Sequence, residues 1–425
     1  MRQGGESFRQ TEVFSHVRRI MFSKIRATEK NIRGFLKIML DFSFSEEQEM
    51  LKEAVRKFMR KEVSPAYIQE IDDKEEFPDE LWRKMSSLGW VGLPFPEEFG
   101  GSGGSVIDQT LIINEISRHF FVAGFVYLLT SCFGGNTLNV LGTREQKKKY
   151  LKGIADGRYR WALALTEPDG GTDILGSTKT TAVLEGDHYL VNGQKTFISD
   201  ADVASYFTLF ARTNKGLDRY TKGFTVFVVD AKSPGITVRK LKKLGVKASS
   251  TCEIFFDDVK IPEENILGQV DNGWYHITDT LNNERITVAA FCLGNAQGAM
   301  DYTLKYARER TAFGKPLGEI QVLQHLMAEV YTEIEQAKLM LYKAAWLQAN
   351  RKPVAVEGTM AKIACSEIAF KAATVGMRVM AGAGYMMEYP MQRHYRDAVI
   401  FLTAPISNDA GRNLIGQSLG FKKAY

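Results

Sequence analysis

The apolar positions of this 425-residue chain change period twice. Between Ser45 and about Leu141 they recur at helical spacing. In SEEQEMLKEAVRKFMRKEV a serine cap and acids open the segment, and Met50, Leu51, Ala54, Val55 and Phe58 fall on one face. The stretch GLPFPEEFGGSGGS interrupts this pattern, because Pro94, Pro96 and the glycines from Gly100 onward enforce a loop. From Trp161 to about Pro262 the period shortens to two, in TTAVLEGDHYLVNGQKTFIS, SYFTLFART, GFTVFVVDA and CEIFFDDVKI. Turn signals at Gly186-Asp187, Asn192-Gly193 and Pro234-Gly235 punctuate these runs. From Trp274 onward long helical periods return, as in NERITVAAFCLGNAQGAMDYTLKYARERTAF and LMAEVYTEIEQAKLMLYKAAWLQAN. The pattern predicts an α+β protein with an N-terminal helical domain over 41–160, a middle small β barrel over 161–273 and a C-terminal four-helix bundle over 274–425.

Length alone leads to two or three domains. A hydrophobic content of 44% and a charged content of 25% are ordinary for a folded soluble chain and exclude disorder as the main state. Cys132, Cys252, Cys292 and Cys365 lie far apart and form no CxxC pair, which argues against a zinc site or disulfide framework and fits a reducing compartment. No stretch reads as a membrane span. The net charge of +5 changes the picture only once it is located. Residues 1–40 hold nine Lys or Arg against three acids, a surplus of six, so the body carries about −1. A near-neutral body lacks the basic surface that nucleic-acid binding requires. The basic extension 1–40 reads either as a targeting peptide, which implies a mitochondrial matrix location, or as a basic amphipathic helix. A third reading is translation from an upstream start, with Met39-Leu40-Asp41-Phe42 opening the domain proper. Three acids weigh against a transit peptide, and without one the expectation is a bacterial cytoplasmic protein.

Five segments sharpen the helix, barrel, helix order. They are LALTEPDGGTD at 163–173, VNGQKTFIS at 191–199, KLGVKASSTCEIFFDDVKIP at 243–262, YARERTAFGKPLGEIQ at 306–321 and MAGAGYMMEYPMQRHYRD at 380–397. In this order they resemble the acyl-CoA dehydrogenase family over nearly the whole chain after Leu40. The resemblance implies FAD as cofactor, an acyl-CoA thioester as substrate, an electron-transfer flavoprotein as redox partner and a homo-oligomer, commonly a tetramer.

The residues can be read physically beside that resemblance. In TEPDGGTD, Gly170 and Gly171 let the backbone approach a ligand, and the hydroxyls of Thr166 and Thr172 can bond a flavin edge or a pyrophosphate. A plain turn from helix to strand would use the same residues. Phe197 and Ser199 alternate along a strand with Ile198 opposite, a face suited to stacking on and bonding to a flavin ring, or to core packing. Arg310 and Phe313, three apart on or just after a helix, project to one side, where a cation and a ring can hold a diphosphate and an adenine. In the family this pair reaches the FAD of a neighbouring subunit. The Gly382 and Gly384 turn allows contact with the same diphosphate, or else a bend between helices. The resemblance extends the cofactor set to Gln321, Arg378, Ser407 and Asp409 and implies substrate contacts at Thr172, Asn282 and Arg285. Arg378 stands where a Gln is usual and Asp409 where Glu or Gln is usual.

The family's reaction removes a proton α to the thioester carbonyl by a carboxylate, while the β-hydrogen leaves as hydride to the flavin, giving a 2-enoyl-CoA. Most members carry the base in a segment after the Arg-Asp of the last signature. Here Arg396-Asp397 is followed by AVIFLTAPISNDAGRNLIG, which puts Pro405 in the catalytic slot, with neither carboxylate nor backbone N–H. A minority, the isovaleryl-CoA, long-chain and crotonobetainyl-CoA-reducing types, carry the Glu on an earlier helix just before an Arg. LNNERITVAA has Glu284 before Arg285 in that place, so Glu284 is the expected base, raised towards working pH by burial. Glu388 in YMMEYP is the nearest rival and reads as structural.

The same residues leave other activities open. An enoyl-CoA reductase would run the chemistry in reverse, and an acyl-CoA oxidase would ordinarily be a longer chain. A non-catalytic flavin-binding member is favoured by Pro405 and opposed by the intact Glu284-Arg285 pair. Acyl chain length depends on a pocket depth set by residues around Tyr127 to Cys132 and a turn at Gly294.

Overall fold

A computed structural model of the chain describes residues 43–217 and 219–422; the basic extension and its alternative readings lie outside them. The N-terminal part consists of helices α1 (Glu46–Glu62), α2 (Pro65–Lys74), α3 (Asp79–Ser87), α4 (Val106–His119), α5 (Phe121–Leu128), α6 (Thr137–Leu141) and α7 (Arg144–Ala155). Reciprocal capping boxes, Ser105 with Asp108 and Thr143 with Gln146, start α4 and α7 by satisfying backbone N–H groups that a helix leaves free. The buried stripe of α1 is centred on Val55 and Met59 rather than on the expected Met50 and Ala54, which face solvent. Leu51, Val55, Phe58 and Met59 keep the i, i+4, i+7, i+8 spacing, and Met50 lies at its edge.

Between α5 and α6 the chain forms a π-helical segment, Leu129–Asn136. By composition Phe121–Leu141 is 21 residues long and apolar enough to cross a membrane, contrary to the sequence expectation, yet 83% of its most apolar stretch is buried inside the fold. It serves as a core element. Phe121 and Phe125 meet Phe291 and Phe401 in an edge-to-face cluster with centroids 4.6 to 5.8 Å apart.

The middle region holds β1 (Trp161–Ala164), helix α8 (Ile174–Ser177), β2 (Thr181–Glu185), β3 (His188–Ser199), β4 (Tyr206–Arg212), β5 (Phe224–Asp230), β6 (Ile236–Lys240), β7 (Thr251–Pro262) and β8 (Ile266–Leu267). They form one sheet in the order β6-β7-β3-β2-β4-β5-β8, with β1 parallel to β4. The sheet curls strongly: Tyr189 on β3 touches Phe227 on β5, centroids 5.0 Å apart, although two strands separate them along the hydrogen-bonded path. Its inner face encloses a core of its own with Val191, Ile198, Phe207, Leu209, Ile254 and Val259, while Phe210, Phe224 and Val228 on the other face join the helical core. Gly186 and Asp187 form the expected two-residue β2–β3 turn. Asn192-Gly193 does not turn the chain. It sits inside β3 at a register shift against β7, a bulge in which Gly193 has φ 150°.

The C-terminal part has three long helices, α9 (Gly273–Glu309), α10 (Gln321–Ala349) and α11 (Ala355–Met380). Short helices α12 (Gly382–Tyr385), α13 (Met391–Ala398) and α14 (Asn408–Ser418) pack on α11 and take the place of a single long fourth arm. The expected turn at Gly294 is absent. Gly294 lies within α9, where a Cβ would come 2.5 Å from the Asn114 carbonyl oxygen of α4, so its role is close helix crossing.

Buried ions join the N-terminal helices to this part. The Asp72 carboxylate on α2 accepts one hydrogen bond from the Arg396 guanidinium on α13, with Arg393 3.8 Å away. Replacing Asp72 by Ala strands two largely buried guanidinium groups. The expected loss is about 3–5 kcal/mol of stability, measured by chemical denaturation against the wild type.

Candidate active site

Two of the segments singled out in the sequence meet at one edge of the sheet. The Thr196 N–H donates to the Thr166 carbonyl (2.9 Å) and the Thr166 hydroxyl donates back to the Thr196 carbonyl (2.6 Å). Lys195, fully buried, reinforces this tie by donating to Glu167 Oε1 (2.8 Å) and to the Leu165 carbonyl (2.9 Å). Burial pulls the Lys195 ammonium down to about 8, against the opposing pull of Glu167. Burial raises the Glu167 carboxyl, but Lys195 and the N–H groups of Lys179 and Thr180 outweigh it and hold the carboxyl below its ordinary value. Lys195 lies within the VNGQKTFIS segment, whose pattern alone assigns it no task. A lysine among inward-facing strand residues was the available signal, since an ammonium is buried only where acceptors await it.

Beyond this clamp the loop is open. Gly171 and Thr172 are exposed, and nothing lies within 4 Å of where a Gly171 Cβ would be. Gly170 behaves otherwise. A Cβ there would meet the Ser177 hydroxyl at 2.0 Å, so its small size serves local packing. Phe197 is exposed, Ser199 half-buried and Ile198 between them buried, but regular strand alternation does not produce this. Pairing with β7 slips between Lys195 and Ile198, and Phe197 at the bulge takes φ 60° and is 68% exposed.

Arg310 and Phe313 are not placed together by helical spacing. Arg310 caps α9, and Phe313 sits at the tip of a hairpin formed by β9 (Thr311–Ala312) and β10 (Lys315–Pro316). Phe313 has φ 52°, followed by Gly314 at 77°, and its ring is 96% exposed. Large apolar rings displayed to solvent from left-handed backbone are costly at both positions. That combination fits a planar ligand or a partner surface. Arg310, Gln321, Arg378 and Gly382 are exposed as well, and nothing lies within 4 Å of a Gly382 Cβ, whereas Gly384 packs on Met377. Ser407 caps α14 by accepting the Ala410 N–H (3.1 Å), and Asp409 in the first turn pairs with Arg412 (3.4 Å).

The carboxylate of interest lies on α9. Glu284 is 5% exposed, and among the described residues no hydrogen bond reaches its carboxyl oxygens. Burial pushes this carboxyl up to about 7, with Arg285 and then Lys362 pulling the other way. Cys132 of the π-helical segment is close enough that burial, with the Glu284 charge adding to it, drives its thiol up to about 12. Arg285 donates from one terminal nitrogen to Asn282 Oδ1 (3.0 Å), and its Nε is buried without a partner. A buried carboxyl held near neutrality beside an under-satisfied guanidinium is the arrangement a proton-abstracting site needs. Pro405 lies exposed in the chain between α13 and α14. Glu388 is exposed. An apolar cleft of about 380 Å³ between α9 and α10, lined by Met300, Leu304, Met327 and Tyr331, has Arg308 as its charged residue and no acid or base pair.

Known proteins share this layout. Sequence profiles of the acyl-CoA dehydrogenase N-terminal, middle and C-terminal domains match residues 45–158, 162–259 and 271–419. A short-chain specific acyl-CoA dehydrogenase of Clostridium acetobutylicum is 38% identical over 362 residues, which span 85% of this chain and 94% of that protein. The CarC subunit of the caffeyl-CoA reductase-Etf complex of Acetobacterium woodii is 38% identical, over 84% of this chain and 94% of its own. Among solved structures, butyryl-CoA dehydrogenase from Megasphaera elsdenii superposes with a TM-score of 0.86 at 33% identity, covering 90% of this chain and 100% of that one. With helices, a curled sheet and helices matched in succession, the chain belongs to the acyl-CoA dehydrogenase family, flavoprotein oxidoreductases acting on CH-CH groups.

Proposed function

We propose that this protein is an FAD-dependent acyl-CoA dehydrogenase in which Glu284 removes the α-proton of an acyl-CoA thioester, with electrons passing to an electron-transfer flavoprotein. The observation that carries this reading is the buried carboxyl of Glu284, raised near neutrality, in a chain whose usual catalytic slot holds Pro405. In its ionised form Glu284 accepts the proton. Its apolar surroundings make the carboxylate a stronger base than a solvated one. Asn282 and Arg285, joined by their hydrogen bond, orient the thioester end of the substrate from the same helix. Thr172 from the open loop completes the substrate contacts.

The displayed rings and open glycines fit FAD. Phe197, Ser199, Thr166, Gly171 and Thr172 would hold its ring end, and Arg310, Phe313, Gln321, Arg378, Gly382, Ser407 and Asp409 its diphosphate and adenine end. When bound, FAD supplies the two-electron acceptor for the β-hydrogen. Arg310 and Phe313 project from the end of α9 in a manner suited to a neighbouring subunit's cofactor, consistent with a homotetramer. The similarity to a caffeyl-CoA reductase subunit favours a second reading, reduction of an enoyl-CoA by the same residues.

Exchanging Glu284 for Gln is expected to slow anaerobic bleaching of the flavin band by a reactive acyl-CoA by about 10²–10⁴-fold, with FAD still bound. Bleaching at the wild-type rate would remove Glu284 from the chemistry. In the wild type only the ionised form abstracts a proton, so the bleaching rate should rise with pH and level off above about 7. A stopped-flow profile that is flat through that region contradicts the assignment. Phe313→Ala should weaken FAD binding to the apoprotein by roughly tenfold without lowering its melting temperature, because the ring contributes no packing within the subunit; fluorescence titration with FAD measures the first effect and thermal unfolding the second.

A further inference from the structure

The chemistry proposed above leaves a second buried ionisable group without a task. Lys362 on α11 is 1% exposed, and its Nζ donates three hydrogen bonds, to the carbonyl oxygens of Phe401 (2.9 Å) and Ile406 (2.7 Å) and to Asn408 Oδ1 (2.7 Å). These acceptors flank Pro405 on both sides. They use all three donors of the ammonium, and each is a neutral oxygen, so the charge has no carboxylate in direct contact.

The helix geometry brings that charge towards Glu284. Helices α9 and α11 run parallel, since a Cβ at Gly358 would lie 3.8 Å from Arg285 Cβ and one at Gly376 would lie 2.8 Å from the Thr303 hydroxyl, the same sequence offset at both points. By that offset Lys362 starts five residues beyond the level of Glu284, roughly 7.5 Å along the axis. Helical side chains lean towards the N-terminus, which carries the ammonium back towards the carboxylate. The groups facing Glu284 are Arg285 on its own helix, Cys132 from the π-helical segment and Lys362 from α11. Those acting on Lys362 are Cys292 and Glu284 from α9 and Glu367 from α11, the last also tied to Asn408 and to Arg412 of α14.

We propose that Lys362 is a positioning residue of the reaction centre, its ammonium being both the fastening that holds the 401–408 segment against α11 and the counter-cation of the Glu284 carboxylate. Its functional meaning rests on the reading of Glu284 as the base. The electrostatics run in the corresponding directions: Lys362 draws the Glu284 carboxyl down from where burial alone would leave it, and burial brings Lys362 itself to about 8 against the pull of Cys292 and Glu284. With the cation removed, less of Glu284 is ionised at neutral pH.

The test is pH-dependent infrared difference spectroscopy of the full-length, FAD-loaded protein, following the protonated-carboxyl band that Glu284→Gln abolishes. Lys362→Met should move the midpoint of that band upward by about one pH unit, and Lys362→Arg should leave it near the wild-type value. An unchanged midpoint in Lys362→Met overturns the counter-cation role. Asn408→Ala keeps the charge and removes one anchor. It should speed hydrogen exchange of the 401–408 amides at least about fivefold without moving the midpoint, and unchanged exchange overturns the fastening. If Lys362→Met does not fold, the reciprocal measurement takes its place: the ε-¹³C-lysine signal that Lys362→Arg removes must titrate lower in Glu284→Gln than in the wild type, and an identical titration overturns the coupling. Flavin bleaching that survives in Glu284→Gln would sink the base assignment while leaving this titration result intact.

Discussion

The close crossing of α9 over α4 is the constraint on which the rest of the structure depends. At Gly294 and Gly298 a Cβ would lie 2.5 and 2.4 Å from carbonyl oxygens of α4, so the two backbones approach as near as backbones can. A helix held this way along its middle cannot roll or slide without clashing. It spans roughly 55 Å at the usual rise and carries Asn282, Glu284 and Arg285 near one end and the capping Arg310 at the other. The separation between the proposed base and the proposed cofactor contact is thus set by a rigid rod. Loops at either end adjust what meets it.

Buried charge is used in two different ways. Lys195 and Glu167 touch, and their pairing is structural: it locks the open glycine loop to the edge of the sheet. Glu284 and Lys362 influence each other without touching, and each is left near neutrality. A direct ion pair would have pulled the carboxyl far below working pH and made it a poor base. The unpaired arrangement costs stability and keeps a proton exchangeable.

Much of the fold was legible in the sequence because it depends on local period. The shift from helical to alternating spacing and back reports which faces are apolar, and the turns at Gly186-Asp187 and Pro234-Gly235 follow from residues that tolerate turn backbone. The burial of the Glu284 carboxyl was legible as well, as an expectation drawn from Pro405 standing where another segment would carry a carboxylate. What escaped depends on distant partners or irregular backbone. Asn192-Gly193 has turn composition yet lies in a bulge because β7 continues to pair on both sides of it. Phe313 looks helical in spacing, but the helix has already ended at Arg310. Gly294 looks like a break and is instead a contact surface. The buried lysines are the clearest case. The acceptors of Lys362 lie 39 to 46 residues away, and nothing around the lysine itself announces them.

Housing the proposed base on α9 has an evolutionary consequence. In chains that keep the carboxylate on the segment between α13 and α14, one stretch of backbone must both present the base and shape the wall beside it, so any change there risks the chemistry. Here that segment carries a proline and is fastened from outside by Lys362 of α11. The proposed base sits on a packed helix, an arrangement that would relieve the wall of catalytic duty. Selection can then remodel the wall, and with it the range of acyl groups admitted, while the proton-transfer machinery stays where the helix packing holds it.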